Sequence, residues 1–357
     1  MSTADHSSAT APSRCPVSIV IKAFNEEKKI CAAIESSLAA LFEVSGEVIL
    51  ADSNSTDRTV EMASRYPIRI VQLVHAHERC CGAGPQLGYQ HSRGEYVYIL
   101  DGDMEMVRGF LPEALSFLAQ HPEVAGVGGR LVELNNQSLE YRERTVRNAA
   151  HMAPGEVDRL DGGGLYRRIA IEEAGYLSDR NLHAYEEFDL AVRLRALGWK
   201  LWRIPVDSVT HYGHDAPPYQ LLMRRWRSRY IFGLGELVRA AAGQPSMRLV
   251  VRGAHELGIY IAVLAWWTVL LGVPFWPLPT AERAVAFAAL AGAPLALMTW
   301  RKRSLARAAY SVVSWCFHAV GLLRGLLSRR RPPRQPIPSR VVHEPTQATE
   351  SRRKHYA

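Results

Sequence analysis

The sequence predicts an α/β protein, a mostly parallel central sheet with helices on both faces, followed by a C-terminal α-helical membrane segment. Three observations predict it. Up to about residue 245, short apolar runs alternate with helix-like runs, and that alternation builds parallel sheets covered on both faces. Two of the runs end in aspartates, Asp52 and Asp101, where ligands bind beyond the carboxyl ends of strands in such sheets. Past residue 245 come two long uncharged stretches, as membrane helices require.

Each element follows in order. Residues 1–14 are polar, with no apolar core for a secretory signal, and are expected to be a disordered lead-in. The run VSIVIKA (17–23) is a continuous apolar strand. Asn25 is placed to cap the next helix, with Glu26 and Glu27 in its first turn suiting the helix dipole. Ile30, Ala33, Ile34, Leu38 and Leu41 then recur at helical spacing. EVILA (47–51) is a second strand, RTVEMASRY a short helix, IRIVQLV (68–74) a third strand and EYVYIL (95–100) a fourth. YEEFDL opens a helix whose buried face is Leu190, Leu194 and Leu197. A further strand leads to His211.

The second half has a different solvent. Residues 257–278 are 22 uncharged residues, and 284–300 are 17 more, joined by the short loop PTAER. Arg248 and Arg252 precede the first run, and Arg301, Lys302, Arg303 and Arg307 follow the second. Basic outer flanks predict a hairpin with both ends cytoplasmic; the alternative is a pair of core helices in a soluble protein. Residues 308–323 are apolar but hold Ser311, Ser314 and His318 between Arg307 and Arg324, which suits a helix lying in the interface. The chain therefore divides into a lead-in (1–14), an α/β domain (15–245), a membrane region (246–327) and a tail (328–357).

The formal net charge is +8, much of it late in the chain, and the tail from Arg329 is basic and Pro-rich. It is expected to be disordered and drawn to anionic headgroups. No aromatic residues interleave its charges, so nucleic acid is not the expected partner. Five cysteines, two of them adjacent, make no disulfide framework and predict a reducing compartment.

YILDGDME (98–105) poses the chemical question, because Asp101, Asp103 and Glu105 crowd one strand end. Carboxylates this close repel unless a cation lies between them or one is protonated. A solvated turn is one reading; a site for Mg²⁺ or Mn²⁺ is the other. HAHERCC (75–81) offers His75, His77, Cys80 and Cys81 to zinc, although adjacent cysteines do not readily share one ion. DGGGLYRR (161–168) is a Gly-rich turn that could let backbone approach a sugar, or simply a flexible loop.

SIVIKAFNEE, ADSNSTDRT, YILDGDME and YEEFDLAVRLRALGWKLWRIP stand in this order. Over about residues 15–240 the chain resembles the family 2 inverting glycosyltransferases, with their nucleotide-diphospho-sugar transferase (GT-A-type) fold. The resemblance implies that Ala23, Asn25, Glu26 and Asp52 hold the donor nucleotide, Asp52 through the base. It implies that Asp101 and Asp103 are the Asp-x-Asp pair, meeting ribose or sugar and the metal, Mn²⁺ or Mg²⁺. It makes Glu187 of the Glu186–Glu187 pair the general base, one methylene longer than the usual Asp. The alternative for both is simple acidity at a helix start. It makes His211 a further metal ligand, His214 less so. MRRWRSRY partly matches a membrane-synthase motif, implying Arg225 and Trp226 as donor contacts, although Leu222 replaces its Gln. Ser55 and Asp57 read as structural caps, and Asp189–Arg193 as an i,i+4 pair.

Lys22 where a proline is usual, Ser53 for a frequent acid, and Pro85-Gln86 for Arg-Asn leave the donor sugar and base open. The implied function is metal-dependent, inverting transfer from a nucleotide-sugar to a lipid-linked or glycan acceptor at the cytoplasmic membrane face. Nucleotidyltransfer on the same fold is an alternative, but FNEEKK lacks the Gly-rich basic loop that holds a triphosphate. A catalytically dead membrane scaffold is the other.

Overall fold

The structure, a computed structural model, describes residues 16–134, 152–212 and 217–345. Four strands form the parallel half of a sheet: β1 (Val17–Ala23), β2 (Gly46–Asp52), β3 (Arg69–Leu73) and β4 (Tyr96–Asp101). The helices between them are α1 (Ile30–Ala40), α2 (Thr59–Ala63) and α3 (Ala83–Gln90). Then follow β5 (Met104–Met106), α4 (Phe110–Gln120), β6 (Val124–Glu133), β7 (Gly155–Val157) and β8 (Gly164–Arg167). Next come α5 (Arg168–Ala174), α6 (Glu186–Ala196) and β9 (Lys200–His211).

The sheet is mixed. Around β1, the pairs β1–β2, β2–β3 and β1–β4 are parallel, as the apolar runs predict. On the far side β8 joins β4 antiparallel and β9 runs parallel to β6. One apolar cluster fills the face carrying α1 and α4 (Ile30, Ile34, Phe110, Leu118). Another fills the face carrying α3 and α6 (Leu87, Leu190, Leu194). Burial on both faces explains why the strands read as unbroken apolar runs.

Two local expectations fail. The first helix starts at Ile30 rather than beside Asn25. Asn25 has φ 56° and its Oδ1 accepts from the Thr56 N–H at 2.8 Å, which ties it to the loop after β2 instead of to a helix. Leu197 is 53% exposed, because α6 ends at Ala196 and Leu197 belongs to the turn after it.

Beyond the sheet come α7 (Pro218–Arg227), α8 (Gly233–Ala241) and α9 (Met247–Gly253). Three helices then have the length and apolar composition to cross a bilayer: α10 (Glu256–Gly272, extended by a 3₁₀ turn to Phe275), α11 (Thr280–Lys302) and α12 (Leu305–Leu327). The two expected hairpin runs fall on α10 and α11. The expected interfacial run, 308–323, lies inside α12, which packs closely on α8. A Cβ on Gly325 would come within 2.1 Å of the Phe232 carbonyl oxygen, so only glycine allows that approach.

The expectation of a disordered tail over 328–357 is corrected for its described part. Residues 328–345 run back over the α/β domain. A last strand, β10 (Ser339–His343), adds antiparallel to the edge strand β3, and edge strands present unpaired backbone groups that invite this. The tail's charge finds acid partners on the way: Arg330 is 2.8 Å from Asp179, and Arg331 pairs with Glu78. The lead-in and the last residues of the tail lie outside the described residues, as does His214.

Candidate active site

Strand register assembles the site. Lys22 pairs with Asp101, and Ala23 with Asp52, so β1, β2 and β4 end side by side. Their carboxyl ends lie at the point where the chain order reverses about β1, the usual crevice for a ligand. Gly102 lets Asp101 and Asp103 flank a tight turn. Its N–H donates to the Lys22 carbonyl at 2.9 Å, and a Cβ there would lie 3.1 Å from that of Ala23.

Asp101 and Asp103 face different partners. Lys22 Nζ is 2.9 Å from Asp101 Oδ1 and 2.9 Å from Glu186 Oε1. It joins a strand end to the first turn of α6, where Glu186 and Glu187 sit. Burial opposes the Lys22 charge, but Asp101, Glu186 and Glu187 outweigh it and raise its pKa well above the ordinary value. Burial pushes the Glu187 carboxyl up to about 8; Lys22 works against the rise, and Asp161, Glu186 and Asp101 add to it. A carboxyl poised near neutral pH is what a general base needs.

Asp103 faces His211. Met104 pairs with His211 across β5–β9, and Glu133 with His211 across β6–β9. His211 Nε2 is therefore 3.5 Å from Asp103 Oδ2, while Nδ1 is 2.6 Å from Glu133 Oε2. Burial disfavours the charged imidazole, but the hydrogen bonds to Asp103 and Glu133 prevail and raise its pKa. A histidine held through one nitrogen by a carboxylate, with the other aimed at a second carboxylate, is the usual arrangement of a metal-binding imidazole. Nearby, burial and then Asp103 push Glu26 up to about 7. Burial and Asp103 likewise raise Asp101 despite Lys22. A divalent cation would relieve that repulsion.

The donor set thus fits Mn²⁺ or Mg²⁺ through Asp103 and His211. Among the described residues no group of three or more His, Cys, Asp or Glu is arranged to hold a metal alone. Such ions commonly complete their shell with phosphate oxygens and water.

Asp52 is fully buried at the end of β2. Its Oδ2 accepts from the Ser55 N–H at 3.0 Å and from Gln72 Nε2 at 2.7 Å. Its Oδ1 is buried with no hydrogen-bond partner, and such an atom in a folded protein calls for an explanation such as a ligand. Ser55 and Asp57 are structural, as read from the sequence. Ser55 Oγ accepts from the Asn25 N–H, and Asp57 accepts from Glu27 and Thr59. Asp189 and Arg193 form the expected pair at 2.8 Å.

Arg225 and Trp226, on α7, both meet aromatic rings. Arg225 lies over Tyr230, and Trp226 packs edge-on to Phe232 and Phe317 under Arg324. The other face of α7 borders a cleft of about 730 Å³, where Arg224 and Arg227 meet Phe24 and Arg79. The turn before β8 is not free: Gly162 and Gly163 have φ 83° and 97°, and a Cβ on Gly163 would crowd the Ile99 carbonyl oxygen at 2.9 Å. Among the described residues, HAHERCC brings no three of its His, Cys and Glu side chains together as a set that could hold a metal. Cys80 Sγ donates to the Arg180 carbonyl at 3.0 Å, and His75 packs against the His77 ring.

The partners of the expected residues are less legible in the sequence. Lys22 and Gln72 carried a signal, since each is a polar residue inside an otherwise apolar strand. Glu133 and the cleft arginines carried none, because nothing in the sequence pairs them with the site.

Residues 18–175 match the model of the family described as Glycosyl transferase family 2. The chain is similar to a probable glucomannan 4-beta-mannosyltransferase 15 of Arabidopsis thaliana, 31% identical over 32% of this chain and 23% of that protein. It is also similar to an undecaprenyl-phosphate 4-deoxy-4-formamido-L-arabinose transferase of Pectobacterium carotovorum, 29% identical over 36% of this chain and 39% of that protein. The chain spans less than half the length of these curated relatives. A mannosyltransferase from Pyrobaculum calidifontis, solved with GDP-Man and Mn²⁺, shares the fold with a TM-score of 0.54 at 20% identity, covering 87% of each chain.

Proposed function

We propose, from the premise that residues 18–175 of this chain belong to glycosyl transferase family 2, that the protein transfers a sugar with inversion from a nucleoside-diphosphate donor to a lipid-linked acceptor at the cytoplasmic membrane face. The observation that carries the reading is Asp103, His211 and Glu133 meeting within 3.5 Å beside the strand ends that hold Asp52 and Asp101.

Asp103 and His211 would hold the divalent ion, whose part is to stabilise charge on the departing diphosphate. Asp52 accepts from a ring N–H of the base through the Oδ1 that otherwise lacks a partner. Ala23, Asn25 and Glu26 line the loop between base and metal. Lys22 holds Asp101 and Glu186 in place across the donor crevice. Glu187 takes the proton from an acceptor hydroxyl as its oxygen attacks the anomeric carbon from the face opposite the diphosphate. One displacement inverts that centre.

The acceptor reading is supported by the cleft beside α7. Three arginines, 79, 224 and 227, with Phe24 and Met223, offer charge for a phosphate and apolar surface for a lipid. The Pectobacterium relative's name includes undecaprenyl-phosphate. With a phosphate acceptor the attacking oxygen is already anionic, and Glu187 orients it rather than deprotonating it.

Purified full-length protein with Mn²⁺, labelled UDP- and GDP-sugars and polyprenyl phosphate tests the proposal. Transfer to lipid is expected. Turnover of no nucleotide-sugar, with or without acceptor, would overturn it in favour of a scaffold.

A further inference from the structure

The strand that follows the membrane helices reaches the donor crevice. The segment leading into β10 is anchored at several points: the Ile337 N–H donates to Gln90 Oε1, Gln90 Nε2 donates back to the Ile337 carbonyl at 3.2 Å, and Arg180 donates to the carbonyls of Gln335 and Pro336. Arg340 is thereby set against β3, in register with Gln72. Its Nε donates to Gln72 Oε1 at 2.8 Å, and its Nη2 donates to the same oxygen.

That contact decides which way the Gln72 amide points. Arginine has donors and no acceptors, so it can bind only the amide oxygen. The amide nitrogen is left facing Asp52, where it donates to Oδ2 at 2.7 Å. With the Ser55 N–H, Oδ2 then has two donors and Oδ1 none. Rotated the other way, Gln72 would bring an oxygen against a carboxylate.

We propose that Arg340, on a strand beyond the membrane helices, is a positioning residue for donor-base recognition. Through Gln72 it keeps Asp52 aimed, with Oδ1 reserved for a ring N–H. The bases that offer one are uracil and guanine; the ring nitrogens of cytosine and adenine at the matching edge are acceptors. The inference rests on Asp52 being the base acceptor, as proposed above. It makes the returning tail a working part of the donor site.

The test is calorimetry on the full chain in lipid nanodiscs with Mn²⁺, titrating UDP, GDP, CDP and inorganic pyrophosphate. Whichever of UDP and GDP binds wild type more tightly should bind Arg340→Met about tenfold more weakly, the loss expected for a hydrogen bond to a charged group. Pyrophosphate should bind as before, because the defect is confined to the base. In turnover the donor KM should rise with kcat nearly unchanged. Arg340→Lys, which keeps a donor, should recover part of the affinity, and it carries the same measurement if the Met variant does not fold. Adding Arg340→Met to Asp52→Asn should cost nothing more.

Equal losses for pyrophosphate and nucleotide would mean Arg340 is merely structural. Wild-type nucleotide affinity in Arg340→Met, beside a weakened Asp52→Asn, would refute the strand's role while leaving the base pocket standing. Unchanged affinity in Asp52→Asn would instead refute the base pocket itself.

Discussion

Lys22 Nζ stands 2.9 Å from Asp101 Oδ1. The same ammonium is 2.9 Å from Glu186, so one cation on β1 holds together a carboxylate of β4 and one of α6. Asp101 is thereby engaged by lysine, and Asp103 is the carboxylate beside His211. The two aspartates of one short motif have different partners.

Replacing Lys22 should expose that division. In Lys22→Met, Asp101, Glu186 and Glu187 lose their shared counter-charge. Lys22 holds the Glu187 carboxyl down, so its removal should raise that pKa above about 8. The acid limb of kcat against pH should move to higher pH, with turnover at pH 7 reduced. An unmoved limb would detach Lys22 from the electrostatics of the base.

Metal dependence should follow Asp103 and His211 rather than Asp101. Chelation should abolish turnover, and Mn²⁺ or Mg²⁺ should restore it. Asp103→Ala should lose the metal-dependent part of nucleotide binding. Glu133→Gln leaves both ligands in place but weakens the hold on His211. About a 10- to 100-fold loss of Mn²⁺ affinity is expected, the usual effect of removing such a supporting carboxylate. Mn²⁺ titration followed by electron paramagnetic resonance gives the answer directly, and full turnover in EDTA would sink the cation reading.

Glu187→Gln keeps the shape and removes the base. With a hydroxyl acceptor, turnover should fall by about 10²–10⁴, the usual worth of general base catalysis, and donor affinity should hardly change. With a polyprenyl phosphate acceptor the fall should be small. Running one variant against both acceptors therefore separates the two chemistries.

Much of this was legible in the sequence because it lies on regular elements. Apolar runs marked β1 to β4, and each donor-side aspartate sits at a strand end. Relationships between distant segments were not legible. Lys22 and Glu186 are 164 residues apart, and Arg340 and Gln72 are 268 apart. The tail misled for a physical reason. Its prolines and arginines suit a solvated chain, and what orders it is an open sheet edge and acids such as Asp179 and Glu78, which belong to other parts of the chain. The motif around Arg225 and Trp226 says nothing about which helix face is turned inward.

The burial of Glu187 also predicts a pH dependence of stability without metal or donor. Its carboxyl, ordinarily near 4.5, is raised to about 8 in the fold. Between those values the folded chain holds the proton and the unfolded chain has lost it. Stability from this group is thus full below about pH 4.5 and lost as pH climbs through about 8. Glu187→Gln cannot lose a proton, so its melting temperature relative to wild type should increase from pH 5 to pH 9. A constant difference across that range would mean the carboxyl is ionised throughout.

Topology gives the last prediction. Strand β10 hydrogen-bonds to β3, so the chain must be on the same side of the bilayer before α10 and after α12. Three crossings would strand β10 on the wrong side, and an even number is required. Helices α10 and α11 are joined by a short connection and are largely unburied by protein, as lipid-facing helices should be. Helix α12 has the most protein contact of the three, closes against α8 and carries Arg324 near its end. It should therefore lie along the interface while α10 and α11 cross. The basic residues after α11, 301–303 and 307, should keep that side cytoplasmic. On a cysteine-free background, a cysteine at Thr280 should react with a membrane-impermeant thiol reagent in intact cells, and one at Ser328 only after lysis. Labelling of Ser328→Cys from outside would require three crossings and would contradict the pairing of β10 with β3.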